Sequence, residues 1–365
     1  MHMADALVSP AVGITMYAMS GMASVYSIKK LRQEPDFKKK IPTMGVMGAM
    51  VFATQMINFT IPGTGSSGHL CGGILLTGLL GPYAGFLSMI GVLLIQCLFF
   101  ADGGLLALGG NIFNMAFYGC FFGALIWKIV MQNGISKRKI TLYSILGSVI
   151  TLQLGAFSVT IQTLCSGVTE LPFKMFLSLM LPIHLAIGFV EGLITMAILN
   201  FIYAARPELL WSDGHEENKY IRSGLSYKKT MIIFTCVFFV IAGFVSLIAS
   251  KQPDGLEWSI KKITGNTEIN AKTDSKNDLD YDLKNDVNDD LNSSLITGTK
   301  TDIYENSEKI QQKTSLLPDY NFKNSDSDLG TSVSGIVGCI IVIIFLTITG
   351  FLIKLSKKGK HKLNE

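Results

Sequence analysis

The stretch LCGGILLTGLLGPYAGFLSMIGVLLIQCLFFA, residues 70–101, decides the fold. It carries no Asp, Glu, Lys, Arg or His, so all of it can sit in hydrocarbon. A spanning helix needs about 20 apolar residues across a core roughly 30 Å thick, which makes this run too long for one crossing. Gly81-Pro82 interrupts it, and the flanking charges say what the interruption does. Lys29, Lys30, Arg32 and Lys38 to Lys40 precede it, and Lys137, Arg138 and Lys139 follow one run later. Lys and Arg in short loops favour the cytoplasm. One crossing by residues 70–101 would put Lys137 to Lys139 outside; a reversal at Gly81-Pro82 keeps them inside. The first half, about residues 70–81, is too short to span at about 1.5 Å per residue and is expected to lie buried within the bundle.

Working outward, the chain of 365 residues is 49% hydrophobic and 16% charged, with a mean hydropathy of +0.41. Further apolar runs fall near residues 11–28, 43–61, 105–131, 140–164, 175–203, 229–250 and 333–353. Two more basic clusters, Arg206 to Lys229 and Lys354 to Lys362, complete the pattern. The fold class expected is an all-α polytopic membrane protein: a seven-helix bundle with an extracellular N-terminus, then two further transmembrane helices flanking a polar extracellular loop, residues 251–332. The C-terminus is expected in the cytoplasm. The net charge of +4 reflects anchoring loops and does not argue for nucleic acid. Dense charge and low hydrophobicity make residues 274–290 read as a solvated tether. Asp278, Asp280 and Asp282 alternate like the start of a calcium loop, but Leu283 stands where its glycine should be. Cys71, Cys97, Cys120, Cys165, Cys236 and Cys339 are dispersed and read as small packing residues.

The chain begins Met1-His2. A bulky His2 disfavours removal of Met1. The terminal amine, the amide nitrogen between residues 1 and 2, and the His2 imidazole can close two fused chelate rings, placing three nitrogens in a plane. Square-planar nitrogen suits Ni(II) and Cu(II), not tetrahedral Zn(II) or oxygen-seeking Mg(II). A fourth nitrogen is expected from His69, in Gly63-Thr-Gly-Ser-Ser-Gly-His69-Leu70, which the topology puts on the same side as Met1. His215 and His361 fall in segments expected to be cytoplasmic. His184, followed by Glu191, lies inside a run, where an ionisable residue is either functional or pairs helices. Asn58, Thr64, Ser67 and Asp5 are candidates to orient the ligands. Because amine and amide lose protons on binding, uptake should fail in acid.

Four segments carry a resemblance: Met1-His2-Met3-Ala4-Asp5-Ala6-Leu7-Val8-Ser9-Pro10, the Gly63 to Leu70 segment, Leu79-Leu-Gly-Pro-Tyr-Ala-Gly85, and Phe99-Phe-Ala-Asp-Gly-Gly-Leu-Leu-Ala-Leu-Gly-Gly-Asn-Ile-Phe-Asn-Met115. Together they resemble the NikM/CbiM family, the substrate-binding membrane (S) components of energy-coupling-factor transporters for nickel and cobalt. Pro253-Asp254-Gly255-Leu256-Glu257 resembles the opening of the NikN-like companion subunit, so the chain is similar to a fusion of the two. The resemblance implies a metal-binding transmembrane domain over 1–205, a cytoplasmic linker over 206–228 and a NikN-like module over 229–365. It implies metal ligands Met1, His2 and His69, with Ni(II) or Co(II) as transported substrate and no prosthetic group. Met3-Ala4-Asp5 departs from the openings common in nickel and in cobalt members; the gain of a low-spin d8 ion from four in-plane nitrogens makes Ni(II) the expected ion, with Co(II) the alternative.

No G-x-x-x-x-G-K-[ST] phosphate loop occurs, so this chain is expected not to hydrolyse ATP. The resemblance supplies the energy source: a transmembrane coupling (T) subunit and cytoplasmic ATPase subunits, docking on residues 1–203 within membrane lipid. The C-terminal module is expected to aid loading without supplying His2 or His69. Two rivals are a cobalt importer feeding cobalamin synthesis and a haem-bearing redox subunit using His69 and His184. The H-E-x-x-H of a metalloprotease is absent.

Overall fold

The computed structural model describes residues 1–35, 37–212, 226–267, 290–323 and 328–361. Ser9 caps the first helix, α1 (Pro10–Gln33), its side chain accepting from Val12 N, and Pro10 sits at the first turn where its missing N–H costs nothing. Next come α2 (Phe37–Gln55), a small antiparallel hairpin of β1 (Phe59–Ile61) and β2 (Ser66–Gly68), and α3 (Gly73–Phe100). Helix α4 (Leu108–Met131) contains π-type turns over Ile112–Phe122. Helices α5 (Lys137–Ser166) and α6 (Phe173–Ala205) form an antiparallel pair, joined by Asn200 Nδ2 donating to Thr141 Oγ1 and Gln153 Nε2 donating to Leu181 O. The C-terminal part holds α7 (Tyr227–Phe244), α8 (Gly255–Thr264), α9 (Asp290–Thr314) and α10 (Asp328–His361).

Among the described residues seven helices are long and apolar enough to cross a membrane: α1, α3, α4, α5, α6, α10, and α7 with its extension to Ile248. Large apolar side chains such as Ile14, Met22, Val25, Phe189 and Phe244 face outward from them, as lipid contact requires. Helix α2, with Lys38 to Lys40 in its first turn, falls short of that measure, yet nearly all of it from Ile41 onward is buried.

Helix α3 reverses at Gly81. Its φ of +77° and ψ of 177° are open to glycine and strained for other residues. A continuous helix would separate residues 76 and 85 by about 13.5 Å, whereas a Cβ on Gly85 would stand 3.3 Å from the Leu76 backbone. The two halves therefore run side by side, as the charge pattern predicts, and every residue from Gly73 to Leu80 is buried. Trp211 closes the tip, its N–H donating to Gly78 O at 2.8 Å and its indole lying where a Gly81 Cβ would be. Lys40 Nζ reaches Leu80 O at 3.4 Å, so a basic cluster gathers at this end, opposite Met1. Residues 213–225, including His215, lie outside the described residues.

The polar segment on either side of residues 274–290 packs against the bundle. Leu256 and Ile260 are buried. Tyr304 Oη donates to Val8 O at 2.8 Å, Gln311 Nε2 to Gly103 O at 2.8 Å, and Tyr320 Oη to Asp102 at 2.6 Å. The Tyr320 ring stacks on Phe100 with centroids 4.9 Å apart. Average composition hides these few apolar and aromatic anchors, which fasten the segment over the Met1 end of the bundle. The acidic residues 274–289, with the calcium-like Asp278 to Asp282 alternation, lie outside the described residues. Helix α10 packs on α2, bringing the Cys339 thiol to Ala49 O, so the two parts share one core.

Candidate metal centre

The N-terminus threads into the Met1 end of the bundle because its main chain finds partners there. Asn111, at the start of the π-type turns in α4, clamps residue 3: Met3 N donates to Asn111 Oδ1 at 2.7 Å, and Asn111 Nδ2 donates to Met3 O at 3.1 Å. Gly104 N also donates to Met3 O at 2.9 Å, and Ala107 N to Asp5 Oδ1 at 3.0 Å. A buried main chain needs such partners, and with them Met1 is only 5% exposed and Met3 wholly buried.

His69 arrives on the far side of the β1–β2 hairpin. Its Nδ1 lies 3.1 Å from Leu70 O, and its Nε2 stands 3.3 Å from the Met1 amine. The peptide that follows is anchored by Glu191 of α6, whose carboxylate accepts from Cys71 N at 2.8 Å and Gly72 N at 2.9 Å. These N–H groups open the first half of α3, where a carboxylate satisfies otherwise orphaned donors. Replacing Glu191 with Ala leaves two buried N–H groups unpaired, at about 1–3 kcal/mol each. Glu191→Ala is therefore expected to lower the unfolding temperature in detergent markedly and to displace His69; an unchanged unfolding temperature would show that water or another group takes over.

The His2 ring stacks on the His69 ring, centroids 5.3 Å apart and planes 25° from parallel. His2 Nδ1 faces Asp102 Oδ1 at 3.3 Å, and its Nε2 is buried with no hydrogen-bond partner. Burial pulls the His2 pKa down, against the opposing pull of Asp102. Burial, then the charge on the Met1 amine, lowers that of His69 to about 3. Both imidazoles are thereby held neutral, the form that binds a metal.

A third component was singled out from the sequence only as part of the Pro253 to Glu257 motif, not as a site residue. Asp254 of the C-terminal part places Oδ2 2.9 Å from the Met1 amine and 3.9 Å from His69 Nε2. Its other oxygen caps α8, accepting from Leu256 N and Glu257 N at 2.8 and 2.9 Å, while Glu257 accepts from Asp254 N at 3.0 Å. This reciprocal capping box leaves the Asp254 carboxylate little freedom. Burial alone would raise its pKa; the Met1 ammonium overcomes that and holds it below the ordinary carboxylate range. Burial and the Asp254 charge push Glu257 up to about 7. Gly255 packs closely beside it, since a Cβ there would stand 3.0 Å from His184 Cε1. Ser67 fastens the loop, its N–H donating to Pro253 O at 2.8 Å and its hydroxyl to Gln252 O at 2.7 Å. Trp258 Nε1 donates to Thr64 O at 2.9 Å.

A cavity of about 10 Å³ remains, lined by Met1, His69, Cys71, His184, Asp254 and Gly255 among others; this is room for about one water molecule. His184 Nδ1 donates to Met180 O at 2.8 Å within its own helix, and the ring stands next to the site rather than pairing helices through a charge. The four candidates for orienting ligands hold loops, in keeping with the turn or cap role that such residues more often have. Ser67 and Thr64 bind the Pro253 loop as above, Asn58 O accepts from Ser250 N, and Asp5 pins Ala107. Among the described residues no three His, Cys, Asp or Glu gather as a metal cluster. Among the described residues the nitrogens gathered at this end are the terminal amine, the adjoining amide and the imidazoles of His2, His69 and His184.

Residues 2–209 match the model of the cobalt uptake substrate-specific transmembrane region, CbiM. The chain belongs to the CbiM family. Residues 228–287 and 283–355 match the PDGLE domain, so in this CbiM-family chain a PDGLE module follows the bundle. An Archaeoglobus fulgidus protein that carries the name NikMN, a fused nickel transport protein, is 31% identical over 343 residues, 94% of this chain and 96% of that one. A CbiM cobalt transport protein of Sorangium cellulosum is 30% identical over 53% of this chain and 86% of its own. A crystal structure described as a truncated transition metal transporter superposes with a TM-score of 0.50 at 30% identity, covering 56% of this chain and 99% of that one. The CbiM-family membership accounts for the order of motifs from Met1 to Met115, and the PDGLE match for Pro253 to Glu257.

Proposed function

We propose that this chain is the metal-binding subunit of an energy-coupling-factor importer for Ni(II). One observation carries the reading: a buried terminal amine 3.3 Å from the Nε2 of a buried histidine, in a chain of a metal-uptake family. Met1 N, the His2 amide and imidazole, and His69 Nε2 would form the square. Closing the second chelate ring turns His2 Nδ1 from Asp102 toward the ion. A d8 ion gains most from four in-plane nitrogens, one of them an ionised amide, which favours Ni(II) over Co(II); against copper, selectivity also draws on availability.

The basic clusters put the Met1 end outside, so the ion is captured from the exterior. Release inside follows reorientation driven by ATP hydrolysis in partner subunits, a coupling subunit with cytoplasmic ATPases. The functional division is residues 1–205 for the metal, 206–228 as linker and 229–365 as a module that aids loading. Cobalt import on the same architecture is the second reading, supported by the family's own description. Calorimetric titration of Ni(II) against Co(II), on protein whose free Met1 amine is verified by mass spectrometry, separates them. Tighter Ni(II) binding is expected; equal or tighter Co(II) binding overturns the choice of ion.

A further inference from the structure

Charge balance at this end of the bundle turns on a group that belongs to the appended module. The Met1 ammonium and the Asp254 carboxylate, 2.9 Å apart, sum to zero in a space nearly closed to solvent. When Ni(II) enters, the ammonium gives up one proton and the His2 amide another, both released to the external solution. The products are a neutral amine, an ionised amide, two neutral imidazoles and a divalent ion, a net charge of plus one. Asp254 at the amine, with Asp102 facing the His2 imidazole at 3.3 Å, offsets it. An unbalanced buried charge is strongly unfavourable, so a carboxylate placed here matters before and after loading.

Other carboxylates nearby are otherwise engaged. Glu191 holds Cys71 N and Gly72 N, Glu257 holds Asp254 N, and Asp102 takes the Tyr320 hydroxyl and faces His2. Asp254 is also fixed from behind. Its Oδ1 is committed to two helix N–H groups, and the loop that carries it is fastened to the His69 hairpin through Ser67. A carboxylate so anchored can present one oxygen to the amine edge of the site without entering the plane of four nitrogens.

We propose that Asp254 is the counter-charge of the metal site, lying outside the coordination plane, paired with the ammonium before loading and with the cationic chelate after it. The PDGLE module would thereby complete the site electrostatically although it provides no ligand. This rests on the chelate reading above. The test uses the full chain in detergent with its free amine verified, Ni(II) as the probe, and three variants. Asp254→Asn and Asp254→Ser keep an N-cap acceptor but not the charge; Asp254→Glu keeps the charge. If affinity follows charge, Asn and Ser should bind Ni(II) about 10- to 100-fold more weakly, the usual cost of losing a group that supports a ligand, while Glu stays nearer the unaltered protein. The visible absorption of the square-planar complex should keep its position in all of them.

Unaltered affinity in both neutral variants overturns the proposal. So does a displaced absorption band, which would make Asp254 a ligand. Equal weakening in Asn, Ser and Glu assigns the effect to shape and overturns it as well. Failure of the chelate reading looks different: the unaltered protein itself would then show no square-planar absorption.

Discussion

Adding one residue ahead of Met1 is expected to abolish high-affinity Ni(II) binding. The amine would become an amide, losing its charge, its basicity and its place in the chelate. Nor is there space for an extension, since Met1 is 5% exposed, its nitrogen is flanked by Asp254 and His69 at 2.9 and 3.3 Å, and the adjoining cavity is about 10 Å³. A four-donor site worth about 10–16 kcal/mol loses roughly a quarter of that with one donor, on the order of 100- to 1,000-fold in affinity. A retained formyl group should act the same way. An equal extension after Glu365 should be harmless. Full Ni(II) affinity in the N-terminally extended protein, measured by calorimetry, would sink the chelate model.

His69→Ala is expected to match that loss, and His2→Ala with it. Removing the His69 imidazole takes away the fourth nitrogen while leaving the hairpin that carries it, because β1 and β2 pair through main-chain groups and Ser67 still holds the Pro253 loop. Uptake of Ni(II) should fall to background while the amount of protein in the membrane stays level. His215→Ala provides the comparison, and near-normal uptake is expected from it. Normal uptake by His69→Ala would mean that another donor closes the square; His184, on the same cavity, would be the first to examine.

The topology was legible in the sequence because it rests on one-dimensional quantities. Hydrocarbon thickness sets the length of a span, basic residues set its side, and only the reversal at Gly81 lets both hold across residues 70–101. His69 was legible for a similar reason: few histidines exist, and the topology leaves His69 on the Met1 side. The groups that hold these donors were not. Asn111 and Asp254 are 108 and 253 positions from the residues they grip, and nothing local marks either side chain as a partner of the terminus. Pro253 to Glu257 was recognisable as a motif, yet a capping box looks the same wherever its helix points.

By itself, then, the sequence determined the all-α membrane architecture, the order of its apolar segments and the reversal at Gly81, since each follows from local composition and the solvent on either side. Tertiary structure alone decided that the polar segment folds back over the Met1 end and that Asp254 meets the amine. Such contacts depend on where chain ends come to rest after the helices have packed, and a buried ammonium is stable only where that packing delivers a carboxylate to it.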